Sequence, residues 1–397
     1  SHCLPPSDQE FLIRGFACGF PLNLSATPSS RITTQNLPSA LHHRAQVQQY
    51  LEKEIKAGRV CGPFSTPPFD SFRVSPIGAV PKPATNEVRV IHHLSYPSGE
   101  SVNDLIPDQW AAVQYTTVKD VARTVSRLGR GAFIAKADVR KAYRVVPVSP
   151  CEYPWLGFSW EGAFYFDMVL AMGLRSACAT FQHISDLLVA ILRHIRPTVV
   201  VHNLLDDFIF LGPSGTLGCF GHLQAFLELS RVICLPLNES KLVPPSTCVT
   251  VLGIEFDTLA MVIRLPNEKR VKMLEKLVDF RSKQYVSKHD IQSLAGSLNY
   301  AVVVIPAGGV FLNRLYSLSC GPHDTPRCLS VDVKKDLQVW ENFLEHFNGV
   351  SSLLPRVPLA NFRLSSDAAG GCGFGLIFDS SWSFGFWDPA SAAWGIT

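Results

Sequence analysis

Residues 198–211 read TVVVHNLLDDFIFL, and this stretch decides the fold. Apolar residues stand on both sides of Asp206 and Asp207, so it reads as a buried β-hairpin with the acidic pair at its turn. Adjacent aspartates are also frequent in exposed turns, where they bond to local backbone. Inside an apolar run, however, two carboxylates repel each other and resist burial unless cations neutralise them. Earlier in the chain, residues 132–138 form another apolar run, ending in Asp138, as a buried strand would. An aspartate there can also cap a helix. Carboxylates carried on rigid strands suit magnesium, which prefers such oxygens and keeps water or phosphate ligands. Phosphoryl transfer to a nucleotide needs such ions more than covalent help from the protein.

Composition sets the outer bounds. The 397 residues are 47% hydrophobic and 17% charged, enough for a core shared by several subdomains. Net charge is +3, from 36 Lys and Arg against 33 Asp and Glu, so any basic groove must come from local clustering. The 11 cysteines are dispersed, with no CxxC pair and no zinc-ligand spacing. They read as reduced, buried thiols of an intracellular protein in the cytoplasm or nucleus. No secretory signal opens the chain and no membrane span is expected. The first residue is not Met, which reads as a piece excised from a longer polyprotein.

The rest of the chain alternates patterns. Residues 1–40, rich in Pro, Ser and Thr, read as an extended arm. A helix is expected over 41–57, capped by Gly58. Residues 77–80 and 88–92 form a hairpin signal around a polar turn, with Lys82 and Arg89 beside its tip. Helices are expected over 118–128, 174–195 and 220–232, a strand over 164–169, and a strand pair over 250–256 and 261–265. After Pro266, NEKRVKMLEKLVDFRSKQY (267–285) is a basic amphipathic helix, followed by helical stretches at 288–304 and 331–347. From residue 362 the pattern returns to β-type.

Three ordered motifs resemble reverse transcriptases. AKADVRKAYRVVPV (135–148) looks like their first catalytic motif, LLDDFIFLG (204–212) like their second, and MVLAMGLRSACATFQ (168–182) like the template- and nucleotide-contacting motif between them. The resemblance covers roughly residues 40–397. It implies an α+β right-hand polymerase: fingers and palm over 41–265, thumb over 266–320, a connection over 321–360, and an incomplete ribonuclease H-like domain over 361–397. RVIHHLSYPSGESVND (89–104), SLAGSLNYAVVVIPAGGVFLNRLYSL (293–318) and VKKDLQVWENFLEHFNGVSSL (333–353) look most like retrotransposons of the DIRS type, which move with a tyrosine recombinase.

The resemblance also implies roles. Asp138 and Asp206 would ligate two magnesium ions (manganese being an alternative), with Asp207 nearby and the Val139 carbonyl as a further ligand. Tyr143 falls where a flat ring blocks a ribose 2′-hydroxyl. Lys82 and Arg89 match residues that grip the triphosphate, one as a point charge and one as a planar fork. Gly173 matches the glycine that lets backbone approach the nucleotide, and Arg175, Ser176, Phe181 and Gln182 follow in register, Arg175 and Gln182 as primer or template contacts. Met172 and Leu204 depart from the family pattern, which has glutamine or phenylalanine at the first and tyrosine at the second. Lys241, in LNESKLVPP (237–245), resembles a lysine that protonates the leaving pyrophosphate. LGIEF (252–256), through Leu252, Gly253 and Ile254, resembles the hairpin that holds the primer end. The basic helix after Pro266 would be a thumb tracking the duplex backbone by charge. LSSDAAGGCGFGLIF (364–378) resembles the first strand pair of a ribonuclease H domain, with Asp367 as its first metal carboxylate. Asp379 and Asp388 sit in no matching motif, so no RNA cleavage is expected from these residues alone.

Lys82, Arg89 and Lys241 also read as ordinary solvated charges, Tyr143 as a core aromatic, and the basic helix as a solvated face. The implied partners are an RNA template, a DNA primer and product, dNTPs, and other parts of a retroelement polyprotein. A catalytically decayed polymerase fold that only binds RNA is the alternative, supported by Met172, Leu204 and the incomplete last domain. A capsid-like structural protein is a third reading, opposed by the strand-borne carboxylates.

Overall fold

The computed structural model describes residues 4–25, 34–81, 87–320, 325–346, 350–353, 364–369 and 372–387. They fall into two units, 1–353 and 354–397.

The first unit opens with a helix, α1 (Pro6–Cys18), where the sequence suggested an extended arm. Its apolar stripe is thin, so the helix depends on docking: Phe11 meets Phe20 edge-on at 5.0 Å, and Gly15 leaves room for the same ring. The single helix expected over 41–57 breaks at His43 into α2 (Pro38–His42) and α3 (Arg44–Lys56). Strand β1 (Val60–Phe64) follows, then the antiparallel pair β2 (Ile77–Pro81) and β3 (Val88–His92), as the hairpin signal predicted. Helix α4 (Val118–Leu128) matches its expected bounds. Thr117 and Asp120 form a reciprocal capping box at its start, and Gly129 ends it at φ 87°.

Strand β4 (Phe133–Asp138) lies inside a four-stranded sheet. It is followed by β5 (Gly157–Trp160) and β6 (Ala163–Asp167), which join β1 in a three-stranded sheet. Helix α5 (Ala177–Ile195) starts three residues later than its apolar spacing suggested. Then come β7 (Val200–Leu204), β8 (Asp207–Gly212), α6 (Gly218–Val232) and β9 (Val243–Ser246). The palm sheet has the order β7-β8-β4-β9. Phe208 and Phe210 point into one core with α5 and α6, while Ile209 and Leu211 join a core with α4. Alternation along one strand thus feeds both faces of the sheet.

The strand expected over 250–256 is instead two, β10 (Cys248–Val251) and β11 (Ile254–Asp257), folded back at Leu252 and Gly253. Both turn residues have positive φ, 49° and 80°, and the apolar leucine hid the turn from the sequence. β12 (Val262–Arg264) completes the meander. Helices α7 (Asn267–Ser282), α8 (Lys288–Ala301), α9 (Asn313–Ser319) and α10 (Val331–His346) then share one core. Helix α10, which falls in the segment 321–360 expected as a connection, buries Trp340 and Leu344 in that core. Short strands β13 (Tyr285–Val286) and β14 (Arg327–Cys328) pair with each other, and β15 (Ser351–Ser352) pairs with β12.

The second unit is a three-stranded antiparallel sheet of β16 (Leu364–Ala369), β17 (Gly373–Phe378) and β18 (Ser381–Phe386). Among the described residues, no helix is long and apolar enough to cross a membrane.

Gly173 carries a positional demand. Its φ is 117°, and an added Cβ would sit 2.2 Å from the His92 carbonyl oxygen. Gly173→Ala should therefore lower unfolding free energy by about 3 kcal/mol, combining backbone strain with overpacking. A denaturant melt checks this; an unshifted midpoint would show that the β3 contact yields cheaply.

Candidate active site

The register of the palm sheet brings the three aspartates together. Asp138 ends β4 and lies directly across from Asp207, the first residue of β8. Asp206 occupies the turn between β7 and β8, and its carbonyl accepts the Val139 N–H at 2.9 Å. Opposed residues of an antiparallel pair share a face, so sequence-distant carboxylates converge.

The turn is strained and held. Leu205 has φ 52°, a conformation that costs a leucine about 1–2 kcal/mol. Two side chains of α5 fix it: Gln182 Oε1 accepts the Leu205 N–H at 2.7 Å, and Ser185 Oγ donates to the Leu205 carbonyl at 2.8 Å. Gln182 also donates to Asp186 at 2.8 Å and is 5% exposed. Both ends of its amide are thus engaged under the aspartate turn.

Electrostatics mark the same spot. Burial raises the Asp206 carboxyl above the usual carboxylate range, and the charges of Asp138 and Asp207 push it the same way. Burial also raises Asp207, with Lys136 opposing and Asp138 adding to it. Lys241 donates from Nζ to Asp138 Oδ2 at 2.9 Å, and that hydrogen bond raises its own pKa. Lys241 is therefore part of the acidic centre rather than a remote surface charge.

A cleft of about 460 Å³ opens on Asp138, Val139 and Asp206. Arg89 from β3, Tyr143, Met172 and Lys241 line it too. Tyr143 is fixed by its hydroxyl 3.0 Å from Cys178 Sγ and by an edge contact with Phe181 at 5.9 Å. Burial raises its phenol pKa. The Met172 carbonyl accepts the His92 N–H at 3.0 Å, tying the Met172–Gly173 segment to β3.

Other expected site residues lie elsewhere. Arg175 does not line the cleft. Its N–H donates to Asn103 at 2.8 Å, and its guanidinium holds the Ile106 carbonyl at 3.0 Å and the Asp108 carboxylate. Ile254 is fully buried, whereas Leu252 and Gly253 at the turn of that hairpin are half-buried. Tyr300 Oη donates to the Leu252 carbonyl at 3.1 Å, with the Lys269 ammonium 4.8 Å from its ring centre. Asp367 lies exposed on β16, in register with Gly375, and Asp379 lies between β17 and β18. Lys82 and Asp388 lie outside the described residues.

Sequence reasoning missed Glu54, His92, Arg144 and Asp167, buried charged or polar groups beside the cleft. A signal for the first existed. Val47, Leu51 and Glu54 share the buried stripe of α3, so a carboxylate stands where a hydrophobe belongs.

Among the described residues, no three His, Cys, Asp or Glu side chains already form a closed metal-ligand set. The donor chemistry still fits a divalent cation. Two half-buried carboxylates are raised by burial and mutual repulsion, and a third is held by a lysine.

No protein-family model matches the chain. It is 24% identical over 200 residues to a retrovirus-related Pol polyprotein from transposon 297 of Drosophila melanogaster, covering 49% of this chain and 17% of that protein. It is 22% identical over 177 residues to polyprotein P3 of Commelina yellow mottle virus, covering 45% and 9%. The chain thus spans less than a fifth of either relative. Among solved structures it is similar to a foamy viral protease-reverse transcriptase dRH in complex with double-stranded DNA, with TM-score 0.62 and 18% identity over 94% of this chain and 61% of that one. A foamy viral protease-reverse transcriptase in complex with an RNA/DNA hybrid aligns with TM-score 0.60 and 16% identity over 94% and 47%. The chain has the α+β right-hand polymerase fold of a reverse transcriptase.

Proposed function

We propose that this chain is the RNA-directed DNA polymerase part of a retroelement polyprotein, joining dNTPs to a primer 3′-hydroxyl on an RNA or DNA template. One observation carries the reading: Asp138 and Asp206 line a cleft that Arg89 and Tyr143 also line, with Asp207 directly across the sheet from Asp138. Asp138 and Asp206, with the Val139 carbonyl, are the groups that would hold two magnesium ions. Such ions would make the primer hydroxyl more acidic and neutralise charge on the triphosphate. Arg89 faces the cleft with a planar donor set suited to phosphate oxygens. Tyr143, held against Cys178 and Phe181, would stand as a rigid wall beside the sugar of a bound dNTP. In the reaction the 3′-oxygen bonds to the α-phosphorus as the bond to pyrophosphate breaks. Lys241, kept protonated by Asp138, is the group suited to give that leaving group a proton.

The three motifs that resemble DIRS-type retrotransposons extend this to a subfamily proposal. The partners proposed are an RNA template, a DNA primer and product, and dNTPs.

The test is primer extension on an RNA template, with magnesium and then with a chelator. Extension that stops on chelation and resumes with magnesium is expected. A parent chain that binds RNA but never extends a primer would favour the decayed, RNA-binding alternative suggested by Met172 and Leu204.

A further inference from the structure

Along the cleft, which Glu54, Lys141 and Arg144 help to line, runs a chain of charges that the chemistry above does not use. Glu54, 1% exposed, accepts from Arg59 Nε and Nη2 at 2.7 and 2.8 Å, from Lys141 Nζ at 2.8 Å and from Arg144 Nε at 3.1 Å. Arg144 Nη1 donates to Asp167 Oδ1 at 2.6 Å. The other Asp167 oxygen lies 3.2 Å from His92 Nδ1, and the second His92 nitrogen lies 3.1 Å from the Gly157 carbonyl. Burial would raise Glu54, yet hydrogen bonds from Arg59 and Lys141 hold it down at about 2. Burial likewise opposes ionisation of Asp167, yet Arg144 and His92 hold it below its ordinary value.

Buried ion pairs are weak sources of stability, because desolvation offsets most of their attraction. What such a cluster fixes well is geometry. Arg144 even leaves Nη2 buried with no hydrogen-bond partner while its other nitrogens bridge two carboxylates. The bridge reaches both walls of the cleft. One wall is the 141–144 turn, in which Lys141 has φ 56° and Tyr143 faces the cleft. The other is the Met172–Gly173 segment, held through the His92 N–H.

We infer that Arg144, bridging Glu54 and Asp167, is a positioning residue that locks the Tyr143 wall and the Met172–Gly173 wall to helix α3, and so sets which nucleotide sugar the cleft accepts. This rests on the polymerase reading.

The test uses Glu54→Gln and Arg144→Lys in the full chain. Gln keeps the shape of Glu54 but not its charge, and Lys cannot span two carboxylates with one planar fork. Each variant should raise KM for dNTP at least about fivefold with kcat within about twofold, and cut discrimination against ribonucleotides about tenfold. Amide exchange should accelerate about tenfold over residues 139–146 and 171–174, and not over β10–β12. A merely structural role would lower the melting temperature while leaving sugar discrimination intact. Unchanged KM, discrimination and exchange in folded variants would overturn the inference. If the parent chain extends no primer, the polymerase reading fails separately and exchange decides: acceleration confined to both walls supports the lock, and unchanged or uniform exchange refutes it.

Discussion

Asp138→Ala is expected to remove primer extension, with kcat falling at least about a thousandfold, while affinity for a primer–template duplex stays within about twofold. The split follows from where the residue stands. Asp138 is 7% exposed at the end of β4, opposite Asp207, with Lys241 on one oxygen. On the proposed mechanism alanine removes a carboxylate that no neighbour can replace, because Asp206 and Asp207 would already be engaged at the same centre. It also releases Lys241. Folding should not suffer, since deleting one of three mutually repelling carboxylates relieves charge on Asp206 and Asp207. A thermal melt equal to or above the parent, together with lost extension, is the expected pair of results. Unimpaired extension by this variant would end the assignment of Asp138 to the reacting centre.

What could be read from sequence depended on whether a residue's partner was local. Asp206 and Asp207 stood out because apolar neighbours surround them, and burial of β8 bears out that contrast. Helix α4 was legible over 118–128 as a helical stretch, and its Thr117–Asp120 cap is likewise local in sequence. Gln182 was not, because its partner is the Leu205 N–H of a distant turn. Arg144 and Asp167 escaped for the same reason: each looks like an ordinary charge until the fold pairs them. Helix α1 was missed because its stability comes from Phe11 docking rather than from its own pattern. The β-type pattern over 250–256 read as one strand because Leu252 takes a left-handed conformation that its residue type does not announce, and only the resemblance of residues 252–256 to a hairpin marked the turn.

Tyr143→Ala should open the cleft to ribonucleotides, improving their use relative to dNTPs by about a hundredfold. The argument is steric and depends on the ring being fixed. A mobile tyrosine would swing aside for one extra oxygen. Here the hydroxyl is tied to Cys178 at 3.0 Å and the ring meets Phe181 nearly edge-on at 84°. Alanine removes the ring and with it the barrier. The half-buried site should cost about 2 kcal/mol of stability, which a melt can measure separately. Tyr143→Phe keeps the ring and loses only the Cys178 contact, so most of the selectivity should survive. If instead alanine leaves sugar choice unchanged, the ring is packing for Phe181 and something else in the cleft senses the 2′-position. If phenylalanine relaxes selectivity as far as alanine does, the hydrogen bond that orients the ring matters more than its bulk.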